Sequence, residues 1–118
     1  MHPEQPRARR YIFIANIELI DVDSESKRKG RTRDLNLFGC QVACSTPLPA
    51  GARIRLKITY KGSSFTAIGH VARASEDTMG IAFARTTEKD KAVLESWLAE
   101  LRRTRSPATV RPDQQPRE

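Results

Sequence analysis

The sequence predicts an all-β core, with several short antiparallel strands closing into a small barrel and one C-terminal helix packed on it. Three observations carry this expectation. Strict alternation runs through residues 53–60, with Ile54, Leu56, Ile58 and Tyr60 on one face and Arg53, Arg55, Lys57 and Thr59 on the other. Clusters of glycine, proline and serine separate the short apolar runs. The period changes only near the end, where Val93, Leu94, Trp97, Leu98 and Leu101 recur at helical spacing.

Residues 1–8 are polar and contain prolines, and read as a flexible basic arm that orders when something binds. Residues 9–103 read as the folded domain. The run from Tyr11 to Val22 reads as a strand with one wet face, since Ile17 and Leu19 alternate with Asn16 and Glu18. Asp21 to Gly30 is a charged segment with a turn around Asp23–Ser26. Strand character returns near Arg31–Leu35 and at Gly39–Cys44, where Cys40, Val42 and Cys44 share a face. Two prolines and a glycine make a turn of residues 46–51. Lys61–Ser64 then turns the alternating strand into Phe65–Ala74 as an antiparallel hairpin. After a turn at Ser75–Thr78, Met79, Ile81 and Phe83 alternate in a last strand. Thr87 is placed to cap the helix, and Glu88 and Asp90 at its start with Arg102 and Arg103 at its end suit the helix dipole. Trp97, on the apolar stripe, reads as a core plug or barrel cap. Residues 104–118 read as a disordered tail, with too few apolar groups to offset the entropy of ordering.

A chain of 118 residues suits one domain. Its net charge of +7 is gathered in clusters around Arg7–Arg10, Lys27–Arg33 and Arg102–Arg105, which favours anionic partners such as nucleotides, nucleic acids or an acidic protein face. Nucleic acid is disfavoured among these, because aromatics are only 6% and Tyr60 and Phe65 fall at a hairpin rather than across an open sheet. No apolar run approaches the roughly 20 residues that span a bilayer. The N-terminus lacks the apolar stretch of a secretory signal, so a cytoplasmic protein with no membrane span is expected. Cys40 and Cys44, if on one strand, lie about 13 Å apart at about 3.3 Å per residue, beyond the roughly 7 Å that a disulfide tolerates. They are expected as buried, reduced thiols. With only two histidines a zinc set is not expected, and no nucleophile elbow, P-loop or acid–base pair argues for an enzyme.

The most informative stretch is Asp34-Leu35-Asn36-Leu37-Phe38-Gly39, downstream of Arg7, Arg9 and Arg10. A carboxylate can accept from a purine edge, and a glycine lets backbone approach a ligand closely. Arginines can hold phosphates by paired hydrogen bonds. The structural alternative is an Asx-type turn in which Asp34 caps backbone amides. Arg33 and Arg73 read as exposed strand residues, either of which could face the same surface, and His70 as a strand-surface residue.

This arrangement resembles the PilZ family, bacterial receptor domains for cyclic di-GMP. The likeness covers about residues 9–101. It rests on the arginine-bearing arm, a turn similar to the family's Asp-x-Ser-x-x-Gly, and the later order Leu48-Pro49-Ala50-Gly51, Gly69-His70-Val71-Ala72-Arg73 and Met79-Gly80-Ile81-Ala82-Phe83. The resemblance implies a six-stranded antiparallel barrel with a closing helix. It also implies cyclic di-GMP as ligand, an unidentified protein effector as partner, and a site made of Arg9, Arg10, Asp34, Asn36 and Gly39. Asp34 would accept from guanine N–H groups, Asn36 would stand where the serine stands, and Gly39 would permit the tight backbone. One position departs from the pattern. The family's Arg-x-x-x-Arg places its first arginine on Arg9 and its second on Phe13, and starting from Arg7 or Arg10 reaches Tyr11 or Ile14 instead. Losing one charge-assisted contact costs roughly 1.5–3 kcal/mol, about ten- to a hundredfold in affinity. The competing function is therefore a degenerate family member acting as a protein-interaction adaptor without nucleotide. Phe13 reads as core, with stacking on a base as its alternative.

Overall fold

The computed structural model describes residues 9–104. These form seven strands and one helix: β1 Tyr11–Ile12, β2 Asn16–Asp21, β3 Lys27–Leu35, β4 Gly39–Ala43, β5 Arg53–Tyr60, β6 Ser63–Ala74, β7 Thr78–Arg85 and α1 Glu88–Thr104. All pairings are antiparallel. The ring β3-β2-β5-β6-β7-β4 closes because β4 pairs back onto β3, and β1 adds to β3 as an extra strand. The expected six-stranded barrel with a C-terminal helix is therefore present. The arm at 1–8 and the tail lie outside the described residues, apart from Thr104, which ends α1.

The run Tyr11–Val22 is not one continuous strand, as the sequence suggested, but β1 and β2 separated by residues 13–15. Its in-and-out alternation survives the break, with Tyr11, Phe13, Ala15, Ile17 and Leu19 all buried. What changes is the hydrogen-bonding partner. The wholly buried Thr32 hydroxyl donates to the Phe13 carbonyl at 2.6 Å and accepts from the Ala15 amide at 2.9 Å, replacing ladder bonds with a side chain. The start of β3 is also earlier than expected, because Lys27–Arg31 pairs residue by residue with β2 despite having no apolar side chain. The β5–β6 hairpin is tighter than the four-residue turn expected. Tyr60 pairs with Ser63, and Lys61 and Gly62 have φ of 49° and 81°, the primed two-residue turn that matches strand twist.

Inward side chains of the ring form a single core, and α1 covers one end of it with Leu94, Trp97, Leu98 and Leu101. Trp97 is the plug. Its ring lies 5.4 Å from Phe13, 5.7 Å from Tyr60 and 6.4 Å from Phe65, and Phe13 and Tyr60 are themselves 4.6 Å apart. Cys40 and Cys44 are buried, free thiols.

Thr87 caps α1 as its position suggested, its hydroxyl accepting from the Asp90 amide at 3.0 Å. Asp90 fastens the helix to the sheet. Its carboxylate accepts from the Thr66 amide at 3.0 Å, the Thr66 hydroxyl at 3.1 Å and the Thr87 hydroxyl at 2.7 Å. Loss of solvent pushes the Asp90 carboxyl up, but these hydrogen bonds outweigh it and hold the group below its ordinary value. A depressed folded value means that the contribution is complete above the ordinary aspartate range and lost as pH falls through the lowered value. Asp90→Asn should therefore be less stable than wild type at neutral pH in urea melts. The deficit should shrink as the pH falls through the lowered value, below which both carry a neutral side chain.

Candidate functional site

Two backbone irregularities create the site. Pairing along β3 and β4 steps from Thr32–Val42 to Asp34–Gln41, so Arg33 is an extra residue on β3. Pairing along β6 and β7 steps from Val71–Ile81 to Arg73–Gly80, so Ala72 is an extra residue on β6. Thr32 and Val71 are wholly buried, and regular alternation would send Asp34 and Arg73 inward after them. Each bulge instead turns the charged residue to the outer face. The registers then set Asp34, Gln41, Gly80 and Arg73 side by side across β3, β4, β7 and β6.

A cleft of about 210 Å³ lies over this row, lined by Arg10, Asp34, Asn36, Gly39, Gln41 and Arg73 among others. Four of the five site residues named from sequence thus converge. Arg10 reaches Asp34 across the mouth, Nη1 to Oδ2 3.5 Å, with the Asp34 side chain 21% exposed. Asn36 holds the β3–β4 turn. Its Oδ1 accepts from the Phe38 and Gly39 amides at 2.8 and 2.9 Å, while its own amide donates to the Gly39 carbonyl. The Asx turn anticipated for Asp34 is therefore built by Asn36, which leaves the Asp34 carboxylate directed at the cleft. Gly39 is required by packing, because a Cβ there would run into the Ile81 carbonyl oxygen on β7.

Arg9 is exposed just before β1 and does not line the cleft, and Arg33 is exposed on its bulge outside it. Phe13, at the spacing where a second arginine would stand, is wholly buried against Tyr60 and Trp97, so it is core and not a stacking surface. Burial first, and then the negative charge of Asp34, push the Cys40 thiol far above its usual range, so it stays protonated. Gln41 and Gly80 were not singled out from sequence. Only the cross-strand register brings them to Asp34. A larger cleft, about 440 Å³, opens beside the start of α1, but Leu37, Phe38, Phe65, Phe83 and Leu94 make much of its wall apolar, and it gathers none of the predicted residues. Among the described residues no helix is long and apolar enough to cross a membrane, and no three His, Cys, Asp or Glu side chains group to hold a metal.

The sequence profile of the PilZ domain matches residues 4–100. No curated protein matches the chain. Among solved structures, the PilZ domain of CeSA from a cellulose-synthesizing bacterium superposes with a TM-score of 0.66 at 16% identity, covering 79% of this chain and 97% of that one. YcgR from Escherichia coli in complex with c-di-GMP gives 0.70 at 17% identity, covering 85% of this chain but only 47% of that one. The PilZ domain of YcgR with c-di-GMP, also from Escherichia coli, gives 0.68 at 15% identity, covering 85% and 93%. At such identities the likeness establishes the fold.

Restoring the arginine spacing by Phe13→Arg should not create a phosphate contact. It should remove a ring from the plug and bury an unpaired charge, costing about 3–5 kcal/mol or more in urea denaturation. Retention of wild-type stability would show that position 13 can turn outward.

Proposed function

The chain belongs to the PilZ domain family, and from that membership we propose that it is a receptor domain for cyclic di-GMP, bound over the cleft beside the β3–β4 turn. The observation that carries this reading is the pairing of Arg10 with Asp34 at the cleft mouth, 3.5 Å apart. It sets an anion-binding guanidinium next to a carboxylate that can accept from a guanine edge. In this reading Asp34 reads the base and Arg10 turns from Asp34 to a phosphate. Asn36 and Gly39 keep the turn in shape, and Arg9 follows the arm over the ligand. Support comes also from the fold shared with the YcgR structures described with c-di-GMP.

Size supports an arm that orders. Ligand clefts usually measure about 300–1,000 Å³, and this one, about 210 Å³, would take only part of a cyclic dinucleotide. The remainder would be covered by residues 1–8 folding back. A ligand that binds the closed arm better than the open one shifts the population toward it, and a protein effector would read the changed surface.

A second reading, a protein-interaction adaptor that does not take nucleotide, is favoured by two observations. Phe13 is committed to the core, and Ile12, Ile14 and Phe38 are 50%, 49% and 50% exposed. Calorimetry on the whole chain separates the two. Cyclic di-GMP should bind with micromolar affinity, and Arg10→Ala and Asp34→Ala should each weaken it about tenfold or more. A folded protein that gives no heat at about 100 μM ligand would be an adaptor.

A further inference from the structure

We propose that Arg73, from the sheet, supplies the second cation of the cleft, and that Arg73 with Gln41 forms a phosphate subsite kept open by Gly80. The inference rests on the cyclic di-GMP reading above and names the group that replaces the arginine missing at Phe13.

An exposed strand arginine ordinarily extends into solvent. Arg73 lies down. Its Cγ is 3.3 Å and its Nε 4.0 Å from the point where a Cβ on Gly80 would stand, so its stem leans over Gly80 on β7. The Gln41 Oε1 comes within 3.1 Å of the same point, on Gly80's other neighbouring strand. The space a side chain would occupy at position 80 is therefore taken by an arginine and an amide that both line the cleft. The bulge at Ala72 is what brings Arg73 to this face.

Charge points the same way. Arg10 is ion-paired with Asp34, whereas among the described residues the Arg73 guanidinium has no hydrogen bond or ion pair. Five donors in a planar fork, leaning into a cleft without a partner, suit a phosphate oxygen pair. Arg10 and Asp34 stand at the β3 side of the cleft and Arg73 at the β6 side, three strand spacings or about 14 Å apart at their backbones. A ligand with one phosphate engages one end. A cyclic dinucleotide, with two phosphates and long polar edges, can engage both.

The test is calorimetric titration of the whole chain with cyclic di-GMP, with thermal melts to confirm folding of each variant. Arg73→Gln should weaken binding about ten- to a hundredfold. Arg33→Gln, which removes the same charge outside the cleft, should stay within about twofold of wild type. Arg73→Lys should recover only part of the loss, since an ammonium lacks the fork. Gly80→Ala should weaken binding in the wild-type background and cost less in Arg73→Gln, where only Gln41 is left for the added methyl to displace. If wild type binds and Arg73→Gln binds equally well, or if Arg33→Gln loses as much as Arg73→Gln, the subsite is wrong and the receptor reading stands. If wild type does not bind, the receptor reading fails and the subsite with it.

Discussion

One nine-residue strand holds this barrel shut. β3 pairs with β2 through Lys27–Arg31 and with β4 through Arg31–Leu35, while β1 joins it beside the second half. Closing six strands into a ring requires tilt and shear, and the register between β3 and β4 changes once along their length. The change falls at Arg33, where β3 carries one residue more than β4. That extra residue turns Asp34 outward while leaving Leu35 buried. The outward turn of Asp34 is thus a consequence of that bulge. Close backbone contact also occurs on both sides of β7, where a Cβ on Gly39 of β4 would meet the Ile81 carbonyl and one on Gly69 of β6 the Ala82 carbonyl.

Much of this architecture is legible in the chain, and the exceptions share a cause. Side-chain parity shows which face is buried, and it held for Ile54, Leu56 and Ile58 on β5 and even through the break after β1. Parity says nothing of which backbone answers which. At the split of Tyr11–Val22 the hydroxyl of Thr32, seventeen positions from Ala15, bonds the Phe13 carbonyl and the Ala15 amide beside the backbone bonds that remain. The early start of β3 was hidden because its outer face is charged and its inner positions, Arg28 and Gly30, carry no apolar signal. α1 was readable because its cap, its acidic start and its apolar stripe lie within one local segment.

The site divides along the same line. Asp34, Asn36 and Gly39 lie within six residues and form a local pattern that sequence exposes. Their duties were less visible. Asn36, and not Asp34, caps the turn, and the close approach that Gly39 permits is to β7. Gln41, Gly80 and Arg73 join Asp34 only through three strand pairings and two bulges. An inserted residue in a strand has no compositional signature, so the outer-face row cannot be read without the register.

Position 13 shows how the core limits what the arm can do. β1 enters the barrel in strict alternation, and the residue two before Ala15 must face inward if Ala15 and Tyr11 do. An arginine at that place would have to break the alternation or leave the barrel wall, since a lone buried guanidinium is costly. Phenylalanine instead completes an aromatic stack with Tyr60 and Trp97 that ties the first segment of the chain to its last helix. Packing and phosphate binding are therefore alternative uses of one position, and this chain has taken packing. A second cation can then be supplied by a strand whose outward faces are already fixed by pairing, as Arg73 is on β6. Such a cation is less mobile than one on an arm, so it loses less entropy when the guest arrives. Anion binding at the cleft, as proposed, would then depend less on the leader and more on the sheet.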